Sequence, residues 1–185
     1  MALKEGKRKP KFMDIAITAL TRELFDVYCA IGIKSYRQFY LHLWEDEDPA
    51  PYINTSFTQS ILGQELAHPN HEHFIIYQGA SPVGIFKVLL HSKIAPYSSK
   101  EAFLLEKLYL LREYSGKGIG TEVLNFAENK AKELKKEILW LDTMKKGPAL
   151  NFYLKNGFKI LREGVLDLPN VLENERQMLI LYKTV

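Results

Sequence analysis

Hydrophobic positions along the chain change period several times, and the changes mark out its elements. Residues 13 to 18 alternate well enough for a first strand. From about Thr21 to Trp44 the apolar residues follow helical spacing, with Gly32 as a candidate break. "WEDEDPAPY" predicts a loop, because four acids and two prolines leave little to bury. Ser56 is placed to cap a helix that runs to about Ala67 and stops at His68-Pro69. "HFIIYQ" and "VGIFKVLL", on either side of "GASP", predict a β-hairpin. "SKIAPYSSK" is another loop, and "AFLLEKLYLL" is a long apolar strand.

The clearest helix follows. Gly120, Val123, Leu124, Ala127, Ala131 and Leu134 recur at helical spacing, with charges on the opposite face. "EILWLD" has few charges and predicts a strand buried on both sides. "GPALNFYLKN" predicts a short helix with Pro148 in its first turn, ended by Gly157. "FKILREG" and "RQMLILYK" close the chain as strands. Residues 103 to 142 therefore form a βαβ unit, and the chain is of the α/β class.

Composition narrows the picture only a little. The chain has 185 residues, 46% apolar and 25% charged, which suits one globular domain with a real core. A net charge of +3 mildly favours anionic ligands but does not mark a nucleic-acid binder. Cys29 is the single cysteine, so no intrachain disulfide forms, and a reducing, cytoplasmic setting is expected. Its apolar helical neighbours make it a packing thiol. No apolar run approaches the roughly 20 residues of a membrane span, so no membrane association is expected. The basic head, residues 1–11, is expected to be a frayed, solvated terminus.

The segment "YSGKGIGT" carries the chemistry. Gly116, Gly118 and Gly120 sit between a strand and a helix, with Lys117 among them. A helix start offers unpaired N–H groups and the positive end of the dipole, which suit a phosphate. Three known patterns compete. A P-loop would need a glycine at position 111, where the chain has Leu111, and Ser or Thr after Lys117, where it has Gly118. The dinucleotide fingerprint fits Gly116 and Gly118 but meets Thr121 at its third glycine. Asp142 stands about where a ribose-binding acid would, which keeps a dinucleotide enzyme as an alternative.

The third pattern is a resemblance. The stretch from Leu105 to Phe158 looks like the acyl-CoA-binding heart of the GNAT superfamily of N-acetyltransferases. Lys117-Gly118-Ile119-Gly120 matches the end of its R/Q-x-x-G-x-G/A motif, with Ser115 in place of the first residue. Ala149, Phe152, Tyr153, Gly157 and Phe158 match its second marker, A-x-x-F/L-Y-x-x-x-G-F. The resemblance implies one acyltransferase domain over residues 12–185, with a coenzyme-binding core at about 102–160. It implies a mixed, mostly antiparallel sheet of about seven strands, splayed between strands 4 and 5, with helices on both faces.

The same resemblance implies acetyl-CoA as co-substrate. The backbone of Ser115, Gly116, Lys117, Gly118, Ile119 and Gly120 would hold its pyrophosphate. The strand edge at Leu108, Tyr109 and Leu110 would pair with its pantetheine arm, and the Leu110 N–H would serve the oxyanion. An asparagine usual before the short helix is absent near Lys146, and Asn151 is the candidate to replace it. Tyr153 is the implied general acid beside the sulfur. Glu106, the one acid inside the apolar strand "FLLEKLYLL", is the candidate base; burial is expected to raise its pKa, with Lys87 or Lys107 as alternative partners that would make it structural. A family relative that binds acyl-CoA without catalysis is a further alternative.

The acceptor is expected to be a small amine. Tyr40, Trp44 and Tyr52 lie near the acidic run Glu45-Asp46-Glu47-Asp48, a set that attracts cations. This half is similar, more loosely, to PaiA-type polyamine acetyltransferases, so a polyamine or another small cationic amine is implied. The family also makes a homodimer plausible. His68, His71 and His73 match no strong zinc spacing and are taken as a solvated turn, with no metal expected.

Overall fold

The computed structural model describes residues 14–185, so the basic head and Met13 of the expected first strand lie outside the described residues. The elements are β1 (Ile15–Ala19), α1 (Phe25–Tyr40), α2 (Ala50–Ser56), α3 (Gln59–Ala67), β2 (His71–Gln78), β3 (Ser81–Leu89), β4 (Ala102–Leu110), α4 (Ile119–Glu133), β5 (Ile138–Met144), α5 (Ala149–Lys155), β6 (Lys159–Val165) and β7 (Gln177–Thr184), joined in places by short 3-10 turns. The seven strands form one sheet in the order β1-β2-β3-β4-β5-β7-β6. Only the β4–β5 pair is parallel, and α4 makes its crossover. The expected mixed, mostly antiparallel sheet is the one that forms. No helix of the described residues is long and apolar enough to cross a membrane.

Alternation along the central strands builds two cores, one on each face of the sheet. Phe74, Phe86, Phe103 and Leu139 face α4, whose Val123, Leu124, Ala127 and Ala131 cover them. Ile75 and Ile85 point the other way, under Phe25, Tyr28, Phe57 and Leu62 from the α1–α3 side. Every β2 position from His73 to Ile76 is buried, which explains why "HFII" lacks a polar face.

The sheet opens where the site must be. β4 and β5 pair only at Ala102↔Ile138, Phe103↔Leu139 and Leu104↔Trp140. Beyond that point β4 runs on to Leu110 and β5 to Met144 without pairing. A bulge helps to cause the split. Lys87 pairs with Lys107 and Val88 with Leu105, so Glu106 is the extra residue. Bulges bend a strand and add twist.

Several local expectations change. α1 runs unbroken through Gly32, because a Cβ there would come within 2.5 Å of the Phe57 ring; the glycine admits that ring and the helix continues. The acidic loop is shorter than expected, since Ala50–Ser56 folds as α2 behind Pro49. Thr58, not Ser56, caps α3: its hydroxyl accepts from the Ile61 N–H at 3.2 Å. Leu134 lies just past the last turn of α4 and is 40% exposed, so the apolar stripe stops at Ala131. Gly157 does end α5, with φ at +88°.

Candidate active site

The chain leaves β4 at Leu110, makes a 3-10 turn over Arg112–Tyr114, and enters α4 through the three glycines. Gly116 and Gly118 take φ of +73° and +87°, a region costly for residues with a Cβ. Gly120 serves a different end. It lies in the first turn of α4, and a Cβ there would approach the Phe152 ring to 2.9 Å. Two glycines turn the chain, and the third lets α5 pack against the helix start. Among the described residues, no acceptor takes the N–H groups of residues 116–120. Five successive free donors at the positive end of a helix make an anion cradle.

That cradle borders a cavity of about 660 Å³ lined by Ser115, Gly116, Gly118 and Gly120, by Leu108, Tyr109 and Leu110 of β4, and by α5. Other predicted residues fall differently. The Ile119 side chain is fully buried in the core, so only its backbone serves the turn. Lys117 is outside the lining, with its Nζ 5.3 Å from the Tyr114 ring centre. Asn151 is exposed on α5 and does not reach the cavity wall. Lys155 and Asn156 do reach it, and Asn156 Nδ2 donates to the Phe152 carbonyl at 2.8 Å. Of the two asparagines, Asn156 at the C-terminal end of α5 lies on this wall and Asn151 does not.

A second cavity, of about 270 Å³, lies on the α1–α2 side of the splay. The two cavities share Tyr40, Leu108, Tyr109, Ala149 and Tyr153, so they meet in the gap between β4 and β5. Aromatic packing shapes the smaller one. Tyr36 stacks on Tyr52 at 4.3 Å, and the Tyr52 and Tyr109 hydroxyls lie 2.7 Å apart. Trp44 is buried behind this layer, its indole N–H donating to the Tyr36 hydroxyl at 3.2 Å. It therefore supports the wall without forming it. Glu45 to Asp48 are exposed and lie outside the lining. At the junction, Tyr153 is 8% exposed, and burial raises its hydroxyl pKa, with Tyr40 and Asp142 adding to the effect. The phenol therefore stays protonated at neutral pH.

Charges line one bank of the smaller cavity. Lys87, 1% exposed, lies 2.6 Å from Glu65 and 2.8 Å from Glu106, and Lys107 is 3.4 Å from Glu106. Burial by itself would raise the Glu106 pKa, but the ammonium groups of Lys107 and Lys87 outweigh it and hold the carboxyl below its usual range. The expected raised pKa is thus corrected: the bulge that exposes Glu106 also sets it between two cations. Burial lowers the Lys107 pKa despite its carboxylate neighbour. Glu65 resists burial in the same way, as His73 and Lys87 bring its pKa down to about 2.

The histidines are not a solvated turn throughout. His73 is 2% exposed, its Nδ1 is 3.0 Å from the Tyr28 hydroxyl, and its Nε2 is 3.0 Å from Glu65. Burial lowers its pKa, so it is neutral near pH 7. Glu65, His71 and His73 place potential ligand atoms within 4.8 Å of one another. The Lys87 ammonium already sits against that carboxylate and opposes a second cation there.

Asp142 is the residue the sequence misplaced. It lines the smaller cavity and is the exposed position of β5, contrary to a strand buried on both faces. Its surface is open to the cavity, yet the surrounding walls desolvate the carboxyl and raise its pKa, and the Glu106 charge adds to this. The signal was present: like Glu106, it is a lone acid within an apolar strand.

Comparison with known proteins agrees with this geometry. The sequence profile of the family described as Acetyltransferase (GNAT) family matches residues 33–158. An uncharacterized N-acetyltransferase from the pepI 3′ region of Lactobacillus delbrueckii subsp. lactis is 27% identical over 138 residues, 74% of this chain and 78% of that one. The PaiA N-acetyltransferase of Thermoplasma acidophilum, solved with coenzyme A, superposes with a TM-score of 0.73 at 21% identity, covering 94% of this chain and 100% of that one. A variant of the spermidine N-acetyltransferase SpeG of Vibrio cholerae gives 0.66 at 13% identity, covering 92% and 93%.

Proposed function

This chain belongs to the acetyltransferase (GNAT) family and is an N-acetyltransferase; on that premise we propose that it moves the acetyl group of acetyl-CoA to a small primary amine by direct attack in a ternary complex. The observation that carries this reading is the meeting of two unlike cavities in the splay. The larger suits the coenzyme. Free N–H groups of residues 116–120 match a pyrophosphate, each hydrogen bond to a charged oxygen contributing about 1.5–3 kcal/mol. The edge of β4 at Leu108 to Leu110, left open by β5, matches the amides of the pantetheine arm. That the PaiA N-acetyltransferase of the same fold was solved in complex with coenzyme A supports coenzyme A as the ligand.

The smaller cavity receives the amine. An alkylamine with a pKa near 10.4 is about three units above neutral pH, so its reactive form costs about 4 kcal/mol at roughly 1.36 per unit. A carboxylate beside it eases that loss. The acetyl carbon, activated by its thioester, is attacked by the nitrogen lone pair. In this reading the Leu110 N–H is the donor to the developing oxyanion. Tyr153, kept protonated by burial, donates a hydrogen bond to the departing sulfur.

A polyamine is the first acceptor class to test, since spermidine is the substrate of one structural neighbour. The test measures the heat of acetyl-CoA binding and then thiol release with spermidine, tyramine and methylamine. Binding with turnover of at least one amine is expected; failure to bind acetyl-CoA overturns the proposal. Activity on spermidine no better than on the others removes the polyamine version alone. Replacing Tyr153 with Phe should lower kcat about 10²-fold or more, within the range for proton-donor groups, and leave acetyl-CoA affinity unchanged. Equal turnover in the two proteins removes Tyr153 from the mechanism.

A further inference from the structure

Two acids, not one, face the gap between β4 and β5. The parallel register ends at Leu104↔Trp140. Two residues farther along each strand stand Glu106 and Asp142. Continued pairing would set these two level with each other, and both line the smaller cavity together with Tyr153. Side-chain alternation agrees: Leu139 and Leu141 point into the α4 core, while Met144 joins the core on the α1–α3 side, the same side as Asp142.

The two carboxylates are differently held. Glu106 is fixed by Lys87 at 2.8 Å and Lys107 at 3.4 Å. Asp142 has no cation against it among the described residues; its surroundings are burial, its own backbone N–H and the charge of Glu106. An aspartate inside a strand is locally unfavourable. Such a breach of local preference, at the mouth of a cavity, is expected of a site residue. The environments also push the two acids apart, Glu106 down and Asp142 up, and such a divergence separates the roles of paired carboxylates.

We propose that Asp142 is the proton acceptor for the incoming amine, while Glu106 remains the fixed charge that compensates Lys87 and Lys107. The assignment rests on the acetyltransferase reading above. The acceptor ammonium gives one proton to the Asp142 carboxylate. The freed lone pair forms the C–N bond at the thioester carbonyl carbon. The C–S bond breaks with its electron pair on sulfur, the sulfur takes the Tyr153 proton, and the second nitrogen proton restores the phenol. Amide, thiol and protonated Asp142 result, and Asp142 returns its proton to solvent. Glu106, Lys107 and Tyr109 of β4, Tyr36 and Tyr40 of α1, Tyr52 of α2 and Tyr153 of α5 share the cavity with it, and its β7 partner Ile180 is uncharged.

The pH dependence of kcat/KM tests this, with spermidine, tyramine and methylamine as acceptors. The wild type should be nearly flat between the Asp142 pKa and the amine pKa, since carboxylate plus ammonium carries the same protons as acid plus amine. Asp142→Asn should lose about 10²-fold at neutral pH, in the range for a general base. It should then recover about tenfold per pH unit toward the amine pKa, because only free amine reacts. Asp142→Glu should restore the flat profile. Acetyl-CoA affinity and melting temperature, measured on each variant, should match the wild type, as Asp142 has no partner side chain to lose. A flat profile in Asp142→Asn, or a slope that appears in Glu106→Gln instead, overturns the assignment. Absence of turnover by the wild type with all three amines, despite acetyl-CoA binding, overturns the transfer reaction and this assignment with it.

Discussion

On the proposed coenzyme side of the splay, a glycine turn, the start of α4 and an open strand edge offer main-chain groups beside apolar side chains such as Phe39 and Phe152. On the acceptor side it is side chains, drawn from α1, α2, β4, β5 and α5 and held from behind by Lys87 of β3 and Glu65 of α3. The first surface offers N–H groups whose positions substitution changes only through a Cβ or a φ angle. It suits the part of a ligand that never varies. The second depends on charges that compensate one another out of bulk water, and each member is open to substitution. It suits the part that varies, and it carries the larger share of risk to stability.

The largest effect should come from breaking that compensation. Lys87→Met leaves Glu65 and Glu106 facing each other without their shared cation. Removing one partner of a buried ion pair typically costs about 3–5 kcal/mol, so the urea midpoint should fall sharply. The acid limb sharpens the comparison. Glu65 and Glu106 have lowered pKa values in the fold, so their contribution is present above the unfolded value and lost as pH falls from 4.5 toward about 2. His73, also lowered, adds a loss that begins below 6.5, where the unfolded chain takes up a proton that the folded one refuses. In Lys87→Met the two carboxylates repel, and protonation relieves them. The stability gap between the two proteins should therefore narrow as the solution is acidified; a constant gap would show that the network is not coupled as the distances imply.

Next comes the backbone surface. Gly118→Val places a β-branched residue at φ +87°, beside a cradle that must accept an anion. Acetyl-CoA affinity should fall about 100-fold, equal to about 2.7 kcal/mol at 1.36 per tenfold step. The acid-induced loss of stability should keep its wild-type shape, since the charged network is on the opposite side of the sheet. A change in both would join the two regions that the cavities keep apart.

The same contrast explains what could be read in advance. The proposed coenzyme side is written in short stretches, Ser115 to Gly120 and Ala149 to Phe158, so a family resemblance carried by local motifs is able to point to it. The acceptor side joins residues far apart in sequence. Lys87, the Glu106-Lys107 pair and Asp142 each stand out as charges within apolar strands. Which of them meet depends on the bulge at Glu106 and on where the β4–β5 register stops. Hence the sequence points to Glu106 but not to the direction of its pKa shift, and it suggests Asp142 only as a ribose-binding acid. Gly32 failed for a similar reason: a glycine read as a break is a socket for a ring 25 residues away.

The smallest effect should come from the feature that stood out most in the sequence. Glu45, Asp46, Glu47 and Asp48 are exposed and outside the acceptor wall, with Trp44 and Tyr36 between them and the cavity. At 0.15 M salt, fields from exposed charges decay over about 8 Å. Replacing all four with their amides should therefore raise KM for spermidine by about threefold or less, leave kcat unchanged, and lose even that effect near 1 M salt, where the screening length is about 3 Å. KM for methylamine, with one charge to attract, should move less. A large, salt-resistant rise in KM would mean that the run closes over the bound acceptor, and selectivity would then belong to the acidic segment instead of the charged bank of β4.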